Sequence, residues 1–299
     1  MHTKNASTGK HFAPTSKDAG DIKDAATSEH TARPKKRRGK DILAAILAVV
    51  GIVLLITGGW LWWDAQSQYN FQAETNEKLS GYAKVSDDGS TPPQVDWARL
   101  KAVNGDVCAW IQVPGTPVNF PVYKGATNDT YLRTNAYGSY SIGGQVFLDS
   151  ENTSAGLTQE QTIAYGHHLN DGSMFAALAK MDEQSYFDSI KRVWWVVPIA
   201  HDDGTYGQEN FLCEPLCCYR VSGDDKTVRT FQWSSPSEFH SYLLNKLSSA
   251  ETKAANADAE IPSIEHVLTL VTCNYTEGEG RTVIVCNPTQ QTTQDTVQY

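Results

Sequence analysis

The chain has 299 residues, of which 25 are Lys or Arg and 34 are Asp or Glu, giving a formal net charge of −9 at pH 7. Basic residues are concentrated at the N-terminus, where residues 1–40 hold ten Lys and Arg against four Asp and Glu. The rest of the chain holds 15 basic and 30 acidic side chains. Because binding to nucleic-acid phosphates needs clustered positive charge, this composition argues against a nucleic-acid partner for the folded part.

An uncharged apolar run of 22 residues, ILAAILAVVGIVLLITGGWLWW, extends from Ile42 to Trp63. As a helix it would span about 33 Å, which is enough to cross the hydrocarbon core of a bilayer. Three tryptophans stand at its far end, where they favour the membrane interface, and the basic stretch KKRRGK (35–40) precedes it, which predicts a cytoplasmic N-terminus. No small-residue cleavage site follows Trp63, so an uncleaved anchor is favoured over a signal peptide.

These features predict four regions along the chain. Residues 1–40 lack the apolar side chains needed for a core and are predicted to be a disordered basic cytoplasmic tail. Residues 41–63 are the predicted transmembrane anchor, and residues 64–94 a helical stalk and linker that the turn-forming SDDGSTPP interrupts. Residues 95–299 then form an extracellular domain. The chain is accordingly expected to be a single-pass protein of the cell membrane.

The predicted external domain is rich in short runs of β-branched and aromatic residues, many of them separated by Gly, Pro, Asn or Asp. About eight strands at this spacing predict an antiparallel sandwich or barrel. The runs are VCAWIQV, VNFPVYK, GQVFLDS, QTIAYGH, RVWWVVPIAH, NFLCEPLCCYRV, VLTLVTCNY and RTVIVCN. A few helices are predicted among them, over residues 94–104, Gly172–Met181 and Ser235–Ala250, the last with apolar residues at helical spacing.

All six cysteines lie in the predicted external domain, where disulfide bonds are permitted. Most of them are interpreted as small buried apolar side chains. Cys217 and Cys218 are adjacent on a predicted strand and would point to opposite faces, which favours packing over redox chemistry. Because the cysteines lack the spacing of zinc ligands with nearby histidines, the sequence predicts no metal site, and nothing in it calls for a cofactor.

One cysteine, Cys273 in the run LTLVTCNYTEGEGRTVIVC, has neighbours that a nucleophile would need. A reactive cysteine requires an imidazole and a donor for the developing oxyanion. His167 follows a glycine at a predicted strand end, and Arg281 follows an acidic turn that would place it beside Cys273 in a hairpin. Taken alone, each residue also has an ordinary structural interpretation: a packed thiol, a surface imidazole, and a salt bridge to Glu277 or Glu279.

Four motifs in chain order resemble those of the sortases, the membrane-anchored cysteine transpeptidases of Gram-positive bacteria. TLVTC (269–273) resembles the TLxTC signature, and NGDVCAWIQVPGTPVNFPVYKG (104–125) looks like the opening strands of the family. YLRTNAYGSYSIGGQVFLD (131–149) looks like their Gly-x-x-Phe-x-Asp continuation. YGHHLNDGSMFAAL (165–178) is similar to the corresponding block of class B sortases in particular. The resemblance covers about residues 95–288 and implies a closed sortase-type β-barrel.

Carried over by position, the family's three catalytic roles fall on Cys273, His167 and Arg281. Cys273 follows Leu-Val-Thr and would be the nucleophile. His167 directly follows the glycine of the Tyr-Gly-His block and is therefore preferred to His168, and no other arginine follows Cys273. The chain departs from the pattern in two places: Leu169 stands where Met is common, and the segment between Cys273 and Arg281 is shorter than in some members.

The resemblance implies cleavage of a C-terminal sorting signal after a threonine. The Cys273 thiolate would attack the Thr carbonyl, His167 would protonate the leaving amine, and Arg281 would donate a hydrogen bond to the oxyanion. An amine of a cell-wall precursor or a pilin would then resolve the thioacyl enzyme, anchoring or polymerising a surface protein. Thr272 and Asn274, which flank the nucleophile, are predicted to lie along the substrate groove.

Two other functions remain compatible with the same residues. An exported cysteine peptidase or amidase would use the same dyad but hydrolyse the thioacyl intermediate, so that added amine would not enter the product. A non-catalytic anchored β-domain would instead use Cys273 in a disulfide bond, for example with Cys286 across the predicted hairpin.

Overall fold

The computed structural model of the chain describes residues 38–274 and 280–297, except for the side chains of Arg38, Cys273 and Asn274. The predicted tail therefore lies almost wholly outside the described residues, as do Glu277 and Glu279. The chain divides into two compact units, residues 1–56 and 57–299.

The first helix, α1, extends over Arg38–Ser80 and contains the whole apolar run. Among the described residues it is the one helix whose length and hydropathy fit a membrane span, and its most apolar part is not buried by other parts of the chain. Such a helix is consistent with a membrane anchor, because apolar side chains with no protein around them are stable in lipid.

The second unit is mainly β. In chain order its strands are β1 (Ala83–Lys84), β2 (Gln94–Val95), β3 (Val107–Gln112), β4 (Asn119–Tyr123), β5 (Val146–Leu148), β6 (Gln161–Tyr165), β7 (Val193–Ala200), β8 (Tyr206–Val221), β9 (Thr252–Lys253), β10 (Val267–Asn274) and β11 (Gly280–Gln294). Its further helices are α2 (Trp97–Val103), α3 (Ala176–Ala179), α4 (Gln184–Ser189), α5 (Pro236–Ser248) and α6 (Ala257–Glu260), with short 3-10 turns at Lys180–Asp182 and Ile261–Ser263.

Eight of the described strands form a closed barrel. Neighbouring strands follow the order β11-β10-β6-β5-β4-β3-β7-β8, and β8 pairs again with β11 to close the ring. β9 adds to one end of β8, and β1 and β2 form a separate small sheet. The prediction of a barrel of about eight strands with a few helices is therefore confirmed.

The prediction of purely antiparallel pairing was wrong. β5 pairs with β4 and β10 pairs with β6 in parallel registers. A parallel neighbour requires a crossover connection of a dozen or more residues. The chain provides one between Tyr123 and Val146 and a much longer one between Tyr165 and Val267. Strand composition does not reveal these crossovers, because it reports burial and not the direction of the partner strand.

The barrel has a packed interior, and β10 is also covered on its outer side. Leu268 and Leu270 of β10 join the interior cluster, to which all eight barrel strands contribute. The alternate residues Val267 and Val271 join a second cluster with α5 on the outer side. This is the alternation expected of a strand buried on both sides. Cys218 lies in the interior cluster and Cys217 in the outer one, both as free thiols, which confirms the packing interpretation of this pair.

The two longer predicted helices of the external domain differ in outcome. The helix predicted over Ser235–Ala250 is present as α5, whose first turn is capped by the Ser235 side chain accepting the Glu238 N–H. The helix predicted over Gly172–Met181 was too long, since only α3 and the following 3-10 turn form. Gly172 and Met174 adopt positive φ angles of 84° and 57°, which no right-handed helix accommodates.

Candidate active site

The strand registers bring the three predicted catalytic positions side by side at one end of the barrel. In the parallel pair, Tyr165 of β6 lies opposite Val271 of β10, and the Gly166 N–H donates to the Val271 carbonyl oxygen over 3.1 Å. His167 and Cys273 each stand two residues further along. In the antiparallel pair, Cys273 lies directly opposite Arg281 of β11. Since neighbouring strands are about 4.8 Å apart, the Cys273 and Arg281 backbones are adjacent, and His167 follows the end of β6 on the other side of β10.

Two of these residues have described side chains, and both are partly buried. The His167 Nε2 atom lies 2.8 Å from the Leu132 carbonyl oxygen, which holds the ring against the loop between β4 and β5. Arg281 donates from Nη1 to the Gly280 carbonyl oxygen over 3.1 Å. The Cys273 side chain lies outside the described residues.

A cavity of about 440 Å³ opens beside these positions. His167, Arg281 and Thr272 line one side of it, and the segment after β8, including Arg229, lines the other. The cavity thus lies beside two of the three predicted catalytic residues, His167 and Arg281.

The electrostatic setting of His167 favours its neutral form. Burial lowers the pKa of His167 below its usual range, the hydrogen bond with the Leu132 carbonyl acts in the opposite direction, and the cations Arg133 and Arg281 lower the pKa further. A neighbouring thiolate would oppose these effects, because a negative charge favours the imidazolium ion. The two influences on the ring therefore oppose each other: its surroundings favour neutral imidazole and a thiolate would favour imidazolium.

An ion pair joins Arg229, which lines the cavity and is 37% exposed, to the buried carboxylate of Asp149. The Asp149 carboxylate, which is 0% exposed, accepts hydrogen bonds from Arg229 Nε at 2.8 Å and Arg229 Nη2 at 3.0 Å, and from the Tyr165 hydroxyl at 2.7 Å. Burial raises the pKa of Asp149, but the bonds from Arg229, the Glu151 N–H and Tyr165 outweigh that effect and leave the pKa lowered. This pair holds the segment after β8 against the end of β5.

The sequence reasoning did not identify the Asp149–Arg229 pair. Asp149 was noted only as the end of a motif, and Arg229 was not singled out. The one local signal is a carboxylate placed directly after an apolar strand, which requires a partner when it is buried. Its partner is 80 residues further along the chain, and sequence spacing does not predict such a contact.

The two predicted groove residues are placed differently. The Thr272 side chain is 2% exposed, and its position follows Leu268 and Leu270 on the face that packs inside the barrel. Within the described part of the chain its hydroxyl has no hydrogen-bond partner. Contact between Thr272 and a peptide would therefore run through its backbone. The Asn274 backbone pairs with Gly280, and its side chain lies outside the described residues.

A disulfide bond between Cys273 and Cys286 is incompatible with the register. Cys286 lies opposite Leu268, five residues before Cys273, and its thiol is free and buried. Five residues of strand separate the two backbone positions by about 16 Å, whereas a disulfide bond requires Cα atoms within about 7 Å. This version of the non-catalytic alternative is therefore wrong. Residues 38–272 and 280–297 also contain no group of three or more His, Cys, Asp or Glu side chains arranged to hold a metal ion.

Fold and sequence both relate the chain to the sortases. No family model matches the sequence. Among curated proteins, Sortase B of Staphylococcus aureus is 29% identical over 191 residues, covering 62% of this chain and 71% of that protein. Sortase B of Listeria monocytogenes is 25% identical over 252 residues, covering 82% of this chain and 96% of that protein.

Solved structures agree with these relatives. Clostridium perfringens sortase B is 27% identical and has a TM-score of 0.54 over 64% of this chain and 98% of that structure. A substrate complex of Staphylococcus aureus sortase B shares the fold, with a TM-score of 0.58 over 75% of this chain and 21% identity. The chain is thus an enzyme of the sortase type. Within that group it is a homologue of the class B sortases.

Proposed function

We propose that the chain is a cysteine transpeptidase that uses Cys273 as nucleophile, His167 as general acid and Arg281 as oxyanion donor. The observation that supports this assignment is the pair of strand registers: Cys273 lies opposite Arg281, and His167 follows the end of the strand that pairs with β10 on its other side. His167 and Arg281 line the same cavity. The class B relatives support the same chemistry. Buried packing of all three residues is disfavoured, because His167 and Arg281 both line the open cavity.

The proposed reaction begins with attack of the Cys273 thiolate on the carbonyl carbon of a threonine in the substrate. A carbon–sulfur bond forms, and the carbonyl oxygen gains a negative charge, to which Arg281 donates a hydrogen bond. The carbon–nitrogen bond then breaks, and His167 gives its proton to the departing amine. The neutral imidazole that remains is the form that burial and the nearby cations favour.

The second half of the reaction reverses these roles with a new amine. Neutral His167 accepts a proton from the amine as the nitrogen attacks the thioester carbonyl. The carbon–sulfur bond breaks, a new amide forms, and the thiolate and imidazolium are restored. An exported peptidase or amidase would differ only in using water at this step.

For the substrate, we propose an extended C-terminal sorting signal of the NPxT type on a surface protein or pilin. Staphylococcus aureus sortase B was solved as a substrate complex, which supports the ability of this fold to bind a substrate. The backbones of Thr272 and Asn274 would follow the substrate groove. The acceptor would be an amine of a cell-wall precursor or a pilin subunit.

For the location, we propose a single-pass membrane protein with the catalytic domain outside the cell. Residues 1–40 would be a cytoplasmic tail, residues 41–63 the anchor, residues 64–94 a stalk and linker, and residues 95–299 the catalytic domain. The apolar part of α1 supports the anchor, and the basic residues that precede it in the sequence support the orientation.

The test is a transpeptidation assay with a library of sorting peptides and several amines, with the products identified by mass. The wild-type chain is expected to join peptide to amine, and Cys273→Ala is expected to abolish the product. Cys108→Ala, which alters a partly buried free thiol outside the cavity lining, is the matched control and should retain activity. Product formation by Cys273→Ala contradicts the proposal, and release of only the free acid by the wild type favours the peptidase alternative.

A further inference from the structure

The membrane-proximal helix presents a buried amide to the barrel. Within the second unit, α1 places Tyr69, Gln72, Asn76 and Leu79 on one face at helical spacing, and both Gln72 and Leu79 are fully buried. Leucine at such a position needs only apolar neighbours. A buried glutamine amide is stable only when its oxygen and nitrogen both find hydrogen-bond partners. The partners of Gln72 therefore show which part of the barrel the helix holds.

The first partners of Gln72 lie in the loop between β4 and β5. Its Oε1 atom accepts hydrogen bonds from the Gly143 N–H at 3.2 Å and from the Ser141 hydroxyl, and its Nε2 atom donates to the Gly144 carbonyl oxygen at 3.4 Å. The fit is close, because a Cβ atom on Gly143 would lie 2.9 Å from the Gln72 side chain. One amide thus binds polar groups of three residues within the four-residue stretch 141–144 of this loop.

The second partner lies in the loop between β6 and α3. The Sδ atom of Met174, a weak acceptor, is 3.7 Å from Gln72 Nε2 and 3.3 Å from Asn76 Nδ2. Met174 is 1% exposed and adopts a positive φ of 57°, a conformation that persists only when its surroundings fix it. It also pairs with His168 in an antiparallel bridge. The helix therefore holds this loop at the residue whose backbone is strained.

His167 is held between these same two loops. Its ring contacts the Leu132 carbonyl of the first loop, and its own carbonyl oxygen accepts the Phe175 N–H of the second loop over 2.8 Å. The preceding residue, Gly166, packs closely against the second loop, because a Cβ atom at this position would lie 2.4 Å from the Phe175 ring. A shift of either loop would therefore move the imidazole.

From these contacts we propose that Gln72 is a positioning residue, through which the helix that leaves the membrane fixes the two loops that orient the His167 imidazole. The inference rests on the proposed role of His167 as general acid. It gives the segment after the anchor a part in catalysis that a spacer would not have. Removal of the amide, with its volume kept, should leave the fold intact and let the ring move. Misplacement of a catalytic group by about 1 Å can reduce the rate by about 100-fold.

The experiment uses the full chain in detergent micelles with the variant Gln72→Met, which preserves side-chain volume and removes both hydrogen-bonding atoms. The control is Gln66→Met at an exposed position of the same helix, where the amide donates a hydrogen bond to Asn70 Oδ1 over 3.3 Å. We expect kcat to fall about 10- to 100-fold in Gln72→Met, a larger factor than the change in KM, because the displaced ring acts in the bond-breaking step. The NMR titration of the His167 ring should also shift, whereas both measurements should match the wild type in Gln66→Met.

A second variant, Asn76→Leu, removes the contact with Met174 and the hydrogen bond that Asn76 Oδ1 accepts from Gln72 Nε2 over 3.0 Å. The Gln72 contacts with Ser141, Gly143 and Gly144 remain, so kcat and the His167 titration should change in the same direction by a smaller factor. Wild-type kcat and an unchanged titration in both Gln72→Met and Asn76→Leu would overturn the inference. Equal losses in Gln66→Met would also overturn it, since the effect would then be general to the helix. If the wild-type chain forms no amide product, the proposed function fails, but the His167 titration still decides whether Gln72 positions the ring.

Discussion

Arg281 lies directly opposite Cys273 in the β10–β11 pair, so the two residues share one level of an antiparallel ladder. Directly opposite positions have Cβ atoms about 4.5–5.5 Å apart. A guanidinium at this distance can donate a hydrogen bond to the oxygen of an acyl group bonded to the opposite side chain. The register is therefore compatible with such a hydrogen bond from Arg281 to an acyl group on Cys273.

Replacement of Arg281 by Gln should lower kcat more than it raises KM. The substitution removes the charged donor that would stabilise the oxyanion, and loss of one such donor costs about 10²–10³-fold in kcat. Steady-state transpeptidation kinetics measure both constants. Arg192→Gln, at an exposed arginine just before β7 and outside the cavity lining, is the control and should leave both constants unchanged. Full activity in Arg281→Gln would remove this residue from the mechanism.

Replacement of Arg133 by Gln should raise the pKa of His167. Burial is the largest cause of the lowered pKa and would remain, but the substitution removes one of the two cations that oppose protonation of the ring. The His167 resonance, titrated by NMR, should move to higher pH. Where protonated His167 limits the rate, activity should persist to higher pH for the same reason. The exposed Arg192 again provides the control, and an unchanged or lower pKa in Arg133→Gln would contradict the expected electrostatics.

Replacement of Asp149 by Asn should destabilise the second unit by about 1–3 kcal/mol, because it removes the buried charged acceptor of the Arg229 and Tyr165 hydrogen bonds. The effect depends on pH in a defined direction. The folded-state pKa of Asp149 is lowered, so its contribution to stability is present above the unfolded value of about 4 and is lost as the pH falls through the folded pKa. Thermal unfolding of the wild type and the variant should therefore differ at pH 7 and converge in acid.

Glu151→Gln is the matched control for the Asp149 variant. Glu151 also contacts Arg229, over 2.6 Å, but its side chain is 59% exposed. A solvent-exposed ion pair contributes less than about 1 kcal/mol, so this variant should change stability little. A larger loss in Glu151→Gln than in Asp149→Asn would show that the buried carboxylate is not the partner that matters for Arg229.

Sequence patterns predicted the elements whose cause is local. The period of apolar residues indicated α5, and its cap residues Ser235 and Glu238 set where it begins. The β-branched runs indicated the strands of the barrel. The resemblance named Cys273, His167 and Arg281, and their roles stay predictions because the sulfur lies outside the described residues. The helix predicted over Gly172–Met181 was longer than the observed α3, because its apolar pattern gave no sign of the positive φ angle at Met174.

Residues far apart in the chain account for what the sequence did not reveal. The amide of Gln72 and the carboxylate of Asp149 each find partners about 70 to 100 positions away. Nothing in the local pattern distinguishes a buried glutamine from a solvated one on a polar helix. The parallel pairs β4–β5 and β6–β10 were missed for the same reason.

The sequence by itself determined an apolar helix long enough for a membrane, short β-branched and aromatic runs that form strands, and the residue types of a cysteine transpeptidase. Only the tertiary structure decided which strand ends meet, how Arg229 reaches Asp149, and that the second half of α1 touches both loops around His167. The physical reason is that side-chain periodicity reports whether each residue is buried. The identity of a distant contact partner depends on how all the strands pair, and these pairings are established together when the barrel closes.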